Sequence, residues 1–412
     1  MTVTLAKNLT SLTSLTTSPL HPLTQDILAQ AENGQEMQHQ EWLKRLPHGT
    51  QPLPKRLVGN APLVASASLL RLLDERVSNF CRQLKPRLQI TGDAHLWPKL
   101  PLVDTLSFDF SIVKEESDRG WGISCVELQA FTSVVATGKM LNEIAADLWP
   151  LTKDLHAYAK PTASHSWQSQ AKNHFAPVKQ SILLEADLNK QTTAFDFYAL
   201  QHYFSLDLVD TSKVFSDTSG LFYTKETGAK HHIEHIVNRV ILHTTKQSEH
   251  LTRLLGQSAV SWHSHPLGFY HINKATMPEL ALPKGQRATS AAQWRKLGVP
   301  ASQLVLKANE SFGGSDVFLH VTEQQLDTLL SPDKWLVQER FSPLPLLESD
   351  VHGPIFGEIR CIVLLSDFAP WTAMRLGRLY YGQKASATEL KQREGEGVCV
   401  LLTPPAEPFC AH

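Results

Sequence analysis

The stretch from Leu304 to His320 (LVLKANESFGGSDVFLH) constrains the fold more than any other part of the chain. It reads as an apolar strand ending in Lys307, a small polar loop with Gly313 and Gly314, and a second strand through Val317 and Phe318. Paired glycines let backbone N–H groups approach an anion closely, and a lysine leaving the strand adds a compact positive charge. The same Gly-Gly pair also serves ordinary hairpins, so its meaning depends on what surrounds it.

The surroundings belong to a chain of 412 residues, long enough for two or three domains, with 42% hydrophobic residues to fill their cores. Lys and Arg number 39 against 40 Asp and Glu, which argues against a nucleic-acid partner or an anionic membrane surface. The five scattered cysteines lack any C-x-x-C spacing and read as free thiols in a reducing compartment. The leucines of MTVTLAKNLTSLTSLTTSPLHPLT are interrupted by Thr and Ser, so this stretch reads as a disordered tail rather than a signal peptide. With no stretch of membrane-spanning length, the expectation is a soluble, cytoplasmic protein.

Residues 24 to about 100 look mainly helical, as in Leu69 to Leu84, where apolar residues recur at helical spacing. From Leu106 the pattern changes to two alternating arms, LSFDFSIVKEE and WGISCVELQAFTS, around a polar turn. They read as a hairpin with Asp109 on one strand and Glu127 and Gln129 on the other, the latter two on one face. If Asp109 faces them, three oxygen-bearing side chains converge, a set that suits Mg2+; the alternative is a solvated strand face. Residues 181 to 245 alternate strand and helix patterns (SILLEAD, TAFDFYALQHYF, DLVD, HHIEHIVNRVILH), suggesting a Rossmann-like layer, but no G-x-G-x-x-G is present. His231, His232 and His235 could share a helical face, and His263 and His265 flank Ser264. Neither group has H-E-x-x-H spacing or an evident third ligand, so hydrogen-bonded histidines are the preferred reading over zinc.

Further on, HINKATMPELALP exits a strand-like segment at Asn273-Lys274. KWLVQERF is a strand ending at Gln338-Glu339-Arg340, whose backbone could serve as an edge for a flat heterocycle. FGEIRCIVLLSDF carries Arg360, and Arg375 and Arg378 follow; arginines leaving a sheet can hold oxyanions bidentately.

The order Lys274, Lys307 with Gly313-Gly314, Gln338-Glu339, Arg360 and Arg375 resembles the nucleotide-binding elements of the ATP-grasp superfamily. That family's last element, an acidic D-F…E-x-N metal hairpin, does not follow Arg375; its counterpart lies upstream as Asp109-Phe110 and Glu127-Leu128-Gln129, so the chain resembles a circularly permuted ATP-grasp protein.

The resemblance implies an α/β (α+β) fold, an ATP-grasp in permuted order with an inserted Rossmann-like pre-ATP-grasp domain and a helical N-terminal region. The expected division is a tail over 1–23, helical region over 24–105, metal-binding part over 106–180, Rossmann-like domain over 181–270, and nucleotide-binding part over 271–412. Lys274 and Lys307 would contact ATP, Gly313 and Gly314 would lie in its phosphate loop, and Gln338 and Glu339 would frame adenine and ribose. Glu127 and Gln129 would hold Mg2+, with Asp109 as a further ligand or a support. Arg360 and Arg375 would stabilise the transferred phosphoryl group. Two positions depart from the family's pattern: Gln129 replaces an asparagine, and Asp316 a glycine.

The implied activity is an ATP- and Mg2+-dependent ligation of a carboxylate to an amine, both small molecules. The candidate anchor for an anionic substrate is Arg239, which could equally be a structural ion pair. The alternatives are a degraded scaffold that binds nucleotide or a protein partner, and a kinase that stops at phosphoryl transfer.

Overall fold

The computed structural model describes residues 9–11, 18–46, 53–54, 58–88, 102–131, 133–161, 165–225, 227–241, 260–282, 286–311, 316–366, 369–382 and 396–405. The chain begins with β1 (Leu9–Ser11), α1 (Leu23–Gln30), α2 (Gly34–Arg45), β2 (Leu63–Val64) and α3 (Ala67–Leu88). Next come the hairpin β3 (Thr105–Lys114) and β4 (Trp121–Gln129), then α4 (Val135–Leu148) and α5 (Trp167–Phe175). The middle of the chain alternates: β5 (Ser181–Glu185), α6 (Ala194–Phe204), β6 (Asp207–Asp210), a small meander β7 (Val214–Asp217), β8 (Gly220–Thr224) and β9 (Lys230–Ile233), then β10 (His235–Asn238) and β11 (Ser261–His263). The last part is all strand apart from short helical turns: β12 (Ala288–Ser290), β13 (Leu304–Ala308), β14 (Val317–Phe318), β15 (Trp335–Glu339), β16 (Pro345–Ser349), β17 (Gly353–Ser366), β18 (Ala369–Tyr381) and β19 (Gly397–Leu402).

These strands form four sheets. The largest has eight strands organised on the 14-residue β17, which is long enough to take two partners on one side. Along that side β16 pairs near its start and β3 pairs over Glu358–Leu364, while β18 runs along the other side. The hairpin β3–β4 therefore joins the same sheet as β17 and β18, more than two hundred residues later in the chain. Alternation along β3 separates its two faces: Phe108, Phe110 and Ile112 are buried on one, Ser107, Asp109 and Ser111 project from the other. Phe80 of α3 covers the apolar face, its ring 5.8 Å from Phe108 and 6.2 Å from Phe110. That burial uses the heptad-like spacing of Leu69, Leu73, Val77, Phe80 and Leu84. On α4, Gly138 allows close contact with Met374 of β18, since a Cβ there would lie 2.7 Å from the Met374 Sδ.

The second sheet, ordered β11-β10-β5-β6, is parallel throughout, with the apolar centre of β5 (Ile182, Leu183, Leu184) fully buried between β10 and β6. The third, β12-β15-β13-β14, has its own small core of Trp294, Leu304, Leu306, Leu326 and Val337. Among the described residues no helix is long and apolar enough to cross a membrane, and Cys81, Cys125, Cys361 and Cys399 are buried free thiols. Cys410 lies outside the described residues.

Two sequence expectations change here. The stretch expected to be an unstructured tail contains β1, antiparallel to β16, and Leu20, which is buried and bridges to Ala65. An open sheet edge and an adjacent apolar core order it. The described part of HHIEHIVNRVILH, up to Ile241, does not form a helix: His231 and His232 lie on β9 and His235 on β10, with Ile233 and Ile236 packed in the core of the parallel sheet and its meander and Val237 on the opposite side in the main core. The expected helical histidine face does not exist.

Candidate active site

The face of the large sheet opposite α3 carries a row of charges set by register. Asp109 of β3 stands opposite Glu127 of β4 and opposite Arg360 of β17, and Glu358, two residues before Arg360, stands opposite Arg378 of β18. Side chains opposite one another on neighbouring strands share a face. Arg360 donates to both Asp109 oxygens, from Nε to Oδ1 at 2.7 Å and from Nη2 to Oδ2 at 2.6 Å; Arg378 pairs with Glu358. Burial pushes the Asp109 carboxyl upward, but Arg360, with Arg378 and Lys274, outweighs it and the net direction is down. Burial likewise opposes the charge of Arg360, yet Asp109 keeps its pKa above the ordinary value.

Facing this floor is the small sheet of β13 and β15. Alternation buries Leu304 and Leu306 in its own core and turns Val305 and Lys307 toward the large sheet. Between the two lies a cleft open to solvent. Its floor includes Glu127, Arg360, Arg378 and Tyr380; its other wall includes Lys307, Gln338 and Glu339, with Val305, Val317, Leu319, Phe341 and Pro343 supplying an apolar side.

A β-bulge shapes the junction. Asp109 pairs with Glu127 while Phe110 pairs with Cys125, leaving Val126 as the extra residue, and bulges release backbone groups and redirect side chains. The freed carbonyls are used at once. Lys307 Nζ donates to Val126 O at 2.7 Å and to Gln338 Oε1 at 2.7 Å, and Gln338 Nε2 donates to Cys125 O at 2.7 Å. Gln338, 1% exposed, thus holds Lys307 in place. Burial pulls the Lys307 ammonium down to about 8, against the opposing pull of Glu127. Lys274 begins a short helical turn capped by Asn273, whose side chain accepts from Ala275 N at 2.9 Å. Its Nζ lies 2.9 Å from Glu127 Oε1 and donates to the carbonyl of Ser311.

Six of the expected residues therefore converge: Lys274, Lys307, Gln338, Glu127, Asp109 and Arg360, with Glu339 at the rim, where it pairs with Arg287. A hard divalent cation fits part of the acidic set. Glu127 Oε1 is buried and accepts no hydrogen bond of good geometry, its neighbour Lys274 being an ion pair only, and Gln129, opposite Ser107, lies on the same strand face. Asp109 has both oxygens committed to Arg360, so it supports the floor rather than binding a cation. Asp316 is exposed, takes a left-handed φ of 54°, and closes the hairpin by accepting Ala308 N at 3.0 Å; it does not line the cleft. Gly313 and Gly314 lie outside the described residues.

Three expectations are corrected. Arg375 does not reach the cleft: it stands opposite Cys361 rather than in the register of Arg360, on the other face of the sheet, and pairs with Asp74 of α3 at 2.6 Å. Arg378, three residues on, takes the place expected for it, and Glu358 is a second member that sequence reading passed over. The signal for both was parity, since each sits an even number of residues from Arg360 or its cross-strand partner Leu376. The backbone of β15 is no free edge for a heterocycle, because β12 and β13 flank it and the N–H groups of Glu339 and Arg340 donate to Arg287 O and Gln303 O. Arg239 lies apart from the cleft, at the carboxyl end of β10, beside a second, water-sized cavity with Asp196, Asn238, His263 and Ser264. Its guanidinium stacks on Phe131 and Phe197 and lies 3.9 Å from Asp196. The carboxyl ends of parallel strands are where such sheets bind ligands.

No family model matches the sequence, and no curated protein does. Among solved structures the fold is similar to that of a glutathione synthetase-like effector from Globodera pallida, in its apo form. That match covers 85% of this chain and 93% of the other at 11% identity, with a TM-score of 0.52. The likeness is one of fold, a mixed α/β architecture with several sheets.

Proposed function

We propose that this protein is an ATP- and Mg2+-dependent ligase that activates a carboxylate as an acyl phosphate and joins it to the amine of a small amino-acid or peptide-like substrate, on an ATP-grasp of circularly permuted order. The observation that carries the reading is the convergence of Lys274, Lys307, Arg360 and Arg378 on one cleft that also holds Glu127. Four cations and an apolar wall suit a triphosphate and a base, and a carboxylate with an unbonded oxygen suits a hard cation.

In this reading Lys307, fixed by Gln338 and the bulge carbonyls, meets phosphate oxygens as a point charge. Arg360 and Arg378 neutralise charge at the γ-phosphoryl as it passes from ATP to a carboxylate oxygen, with ADP leaving. The amine nitrogen then attacks the acyl carbon, phosphate departs, and the amine proton goes to solvent. Glu127, with Gln129 beside it, would hold Mg2+, whose charge would screen the phosphates. Val305, Val317 and Leu319 exclude water from one side of the base. The expected boundaries of the permuted parts, 106–180 and 271–412 around a Rossmann-like 181–270, belong to the same proposal.

A second reading has its own observation: every arginine at the floor of the cleft is already ion-paired, Arg360 with Asp109 and Arg378 with Glu358, as suits a scaffold that binds nucleotide without turnover. Thermal unfolding with Mg2+ and ATP or ADP, followed by phosphate release with added carboxylate and amine pairs, tests both. Nucleotide should raise the Tm of the wild type and not of Lys307→Ala or Glu127→Ala. Amine-dependent phosphate release supports the ligase; stabilisation without any turnover selects the scaffold; no stabilisation of the wild type at millimolar nucleotide removes both.

A further inference from the structure

Away from the cleft, three side chains from distant parts of the chain meet where the large sheet, α5 and the parallel sheet come together. Asp104 immediately precedes β3, and its carbonyl accepts from Leu365 N at the end of β17. His174 is in the last turn of α5, with Nε2 3.0 Å from Ser366 Oγ. His263 is the last residue of β11. One ligand atom from each, a carboxylate oxygen and two imidazole nitrogens, all lie within 4.8 Å of one another. We infer that Asp104, His174 and His263 form a site for a divalent transition-metal ion such as Zn2+, which would clamp the two sheets together through α5.

The donor set selects the metal. Two imidazoles and one carboxylate suit Zn2+ or Co2+ and are poorly matched to Mg2+, which prefers oxygen ligands and retained water. Three protein ligands leave one position of a tetrahedron for water. The geometry is near what binding requires. Ligand atoms on a tetrahedral ion are about 3.3 Å apart for bonds of about 2.0 Å. The 2.7 Å contact between Asp104 Oδ2 and His263 Nδ1 need only open slightly, and no pair of the three ligand atoms is more than 4.8 Å apart. The backbone around the set is specialised for this meeting. Ser264 adopts a left-handed φ of 57°, which directs its N–H to Asp104 Oδ1 at 2.9 Å while the preceding imidazole meets Oδ2. The carboxylate is thereby oriented by a backbone donor, as the ligands of metal sites commonly are.

His263 Nε2 is buried and has no hydrogen-bond partner. That nitrogen lies at the wall of the cavity shared with Asp196, Asn238 and Arg239. Sequence alone offered His263 and His265 with no third ligand. The fold supplies Asp104 and His174, and assigns His265 elsewhere, its Nδ1 accepting from Leu267 N at 3.2 Å.

The test uses the full chain, freed of metal with a chelator and titrated separately with Zn2+ and Co2+. The expected result is one ion per chain by equilibrium dialysis with elemental analysis, visible absorption from four-coordinate Co2+, and a raised Tm. His263→Ala and Asp104→Asn should abolish binding. His265→Ala should leave it intact, and so should Glu127→Ala, which separates this site from the cleft. His174→Gln, which keeps a polar group near Ser366, should weaken it at least tenfold. Failure of the wild type to bind either ion stoichiometrically, or stoichiometric binding that survives in the Asp104→Asn/His263→Ala double variant, overturns the inference and leaves a hydrogen-bonded cluster.

Discussion

Replacing Arg360 with methionine should cost the fold about 3 kcal/mol, and most of that loss should be Asp109's. The Asp109 carboxylate is 4% exposed, and both of its oxygens are held by the guanidinium. Removing one partner of a buried pair costs about 3–5 kcal/mol because the other is left desolvated and unpaired. The low end applies here: the Arg360 side chain keeps 24% of its surface, and Arg378 and Lys274 remain as positive neighbours. The loss has a pH signature. In the wild type the Asp109 pKa is held down, so its contribution is present above the unfolded value and fades as pH falls through the folded one. In Arg360→Met the carboxyl pKa rises above the unfolded value, so the deficit is full at neutral pH and shrinks as pH falls through that raised pKa. Urea unfolding followed by tryptophan fluorescence, with m checked for constancy, reads both effects. The double variant Asp109→Asn/Arg360→Met should regain most of the stability without regaining phosphate release. A loss below about 1 kcal/mol for the single variant, or a double variant no more stable than it, would falsify the account of a desolvated pair.

The buried Lys307, with its pKa near 8, should take up a proton when phosphate arrives. At pH 8.5 the uptake should be roughly 0.7 proton per nucleotide and at pH 6.5 almost none, measured by calorimetry in two buffers of different ionisation enthalpy. Identical heats in both buffers at pH 8.5 would contradict it. In the unbound protein the same shift disfavours the fold below about pH 8 and ceases to matter as pH rises past the ordinary lysine value. The two faces of the sheet give a paired test. Arg378→Met should weaken nucleotide binding at least tenfold, whereas Arg375→Met should leave the Kd within twofold and cost about 1 kcal/mol or less of stability, because its partner Asp74 is half exposed and returns to water. Equal effects of the two on binding would mean that the register does not separate their roles.

The strands were legible where alternation was strong. Thr105–Lys114, Leu304–Ala308, Trp335–Glu339 and Gly353–Ser366 carry apolar patterning that reads as strand, whereas the pairing of Asp109 with Glu127 depends on the bulge at Val126. What escaped was which face each residue would take once strands from distant parts of the chain were laid side by side. Arg375 and Arg378 are both arginines leaving a sheet, and only the register with β17, interrupted by a bulge between Ile362 and Val363, separates them. The bulge at Val126 was equally silent, though it creates the carbonyl that fixes Lys307. The region from His231 to Asn238 failed for another reason. Its apolar residues fit a helix and a strand about equally well, and neighbouring parallel strands decided the matter.

The pairing of charges inside the cleft bears on how a nucleotide could enter it. Lys274 is 4% exposed and rests against Glu127. In the proposed complex a phosphate cannot take Lys274 without leaving Glu127 buried and unpaired, and a cation cannot take Glu127 without doing the same to Lys274. Either ligand alone meets the cost of stranding a desolvated charge. The two together avoid it, since the carboxylate turns to the cation as the ammonium turns to the phosphate. Mg2+ and ATP should therefore bind with positive coupling beyond their attraction in solution, and by linkage the effect is the same whichever is added first. Replacing Lys274 and Glu127 together by methionine and glutamine removes both charges and with them this coupling. Nucleotide titrations of the wild type and that double variant, each with and without Mg2+, measure it; a dependence on Mg2+ that survives unchanged in the variant would show that the pair plays no part in entry.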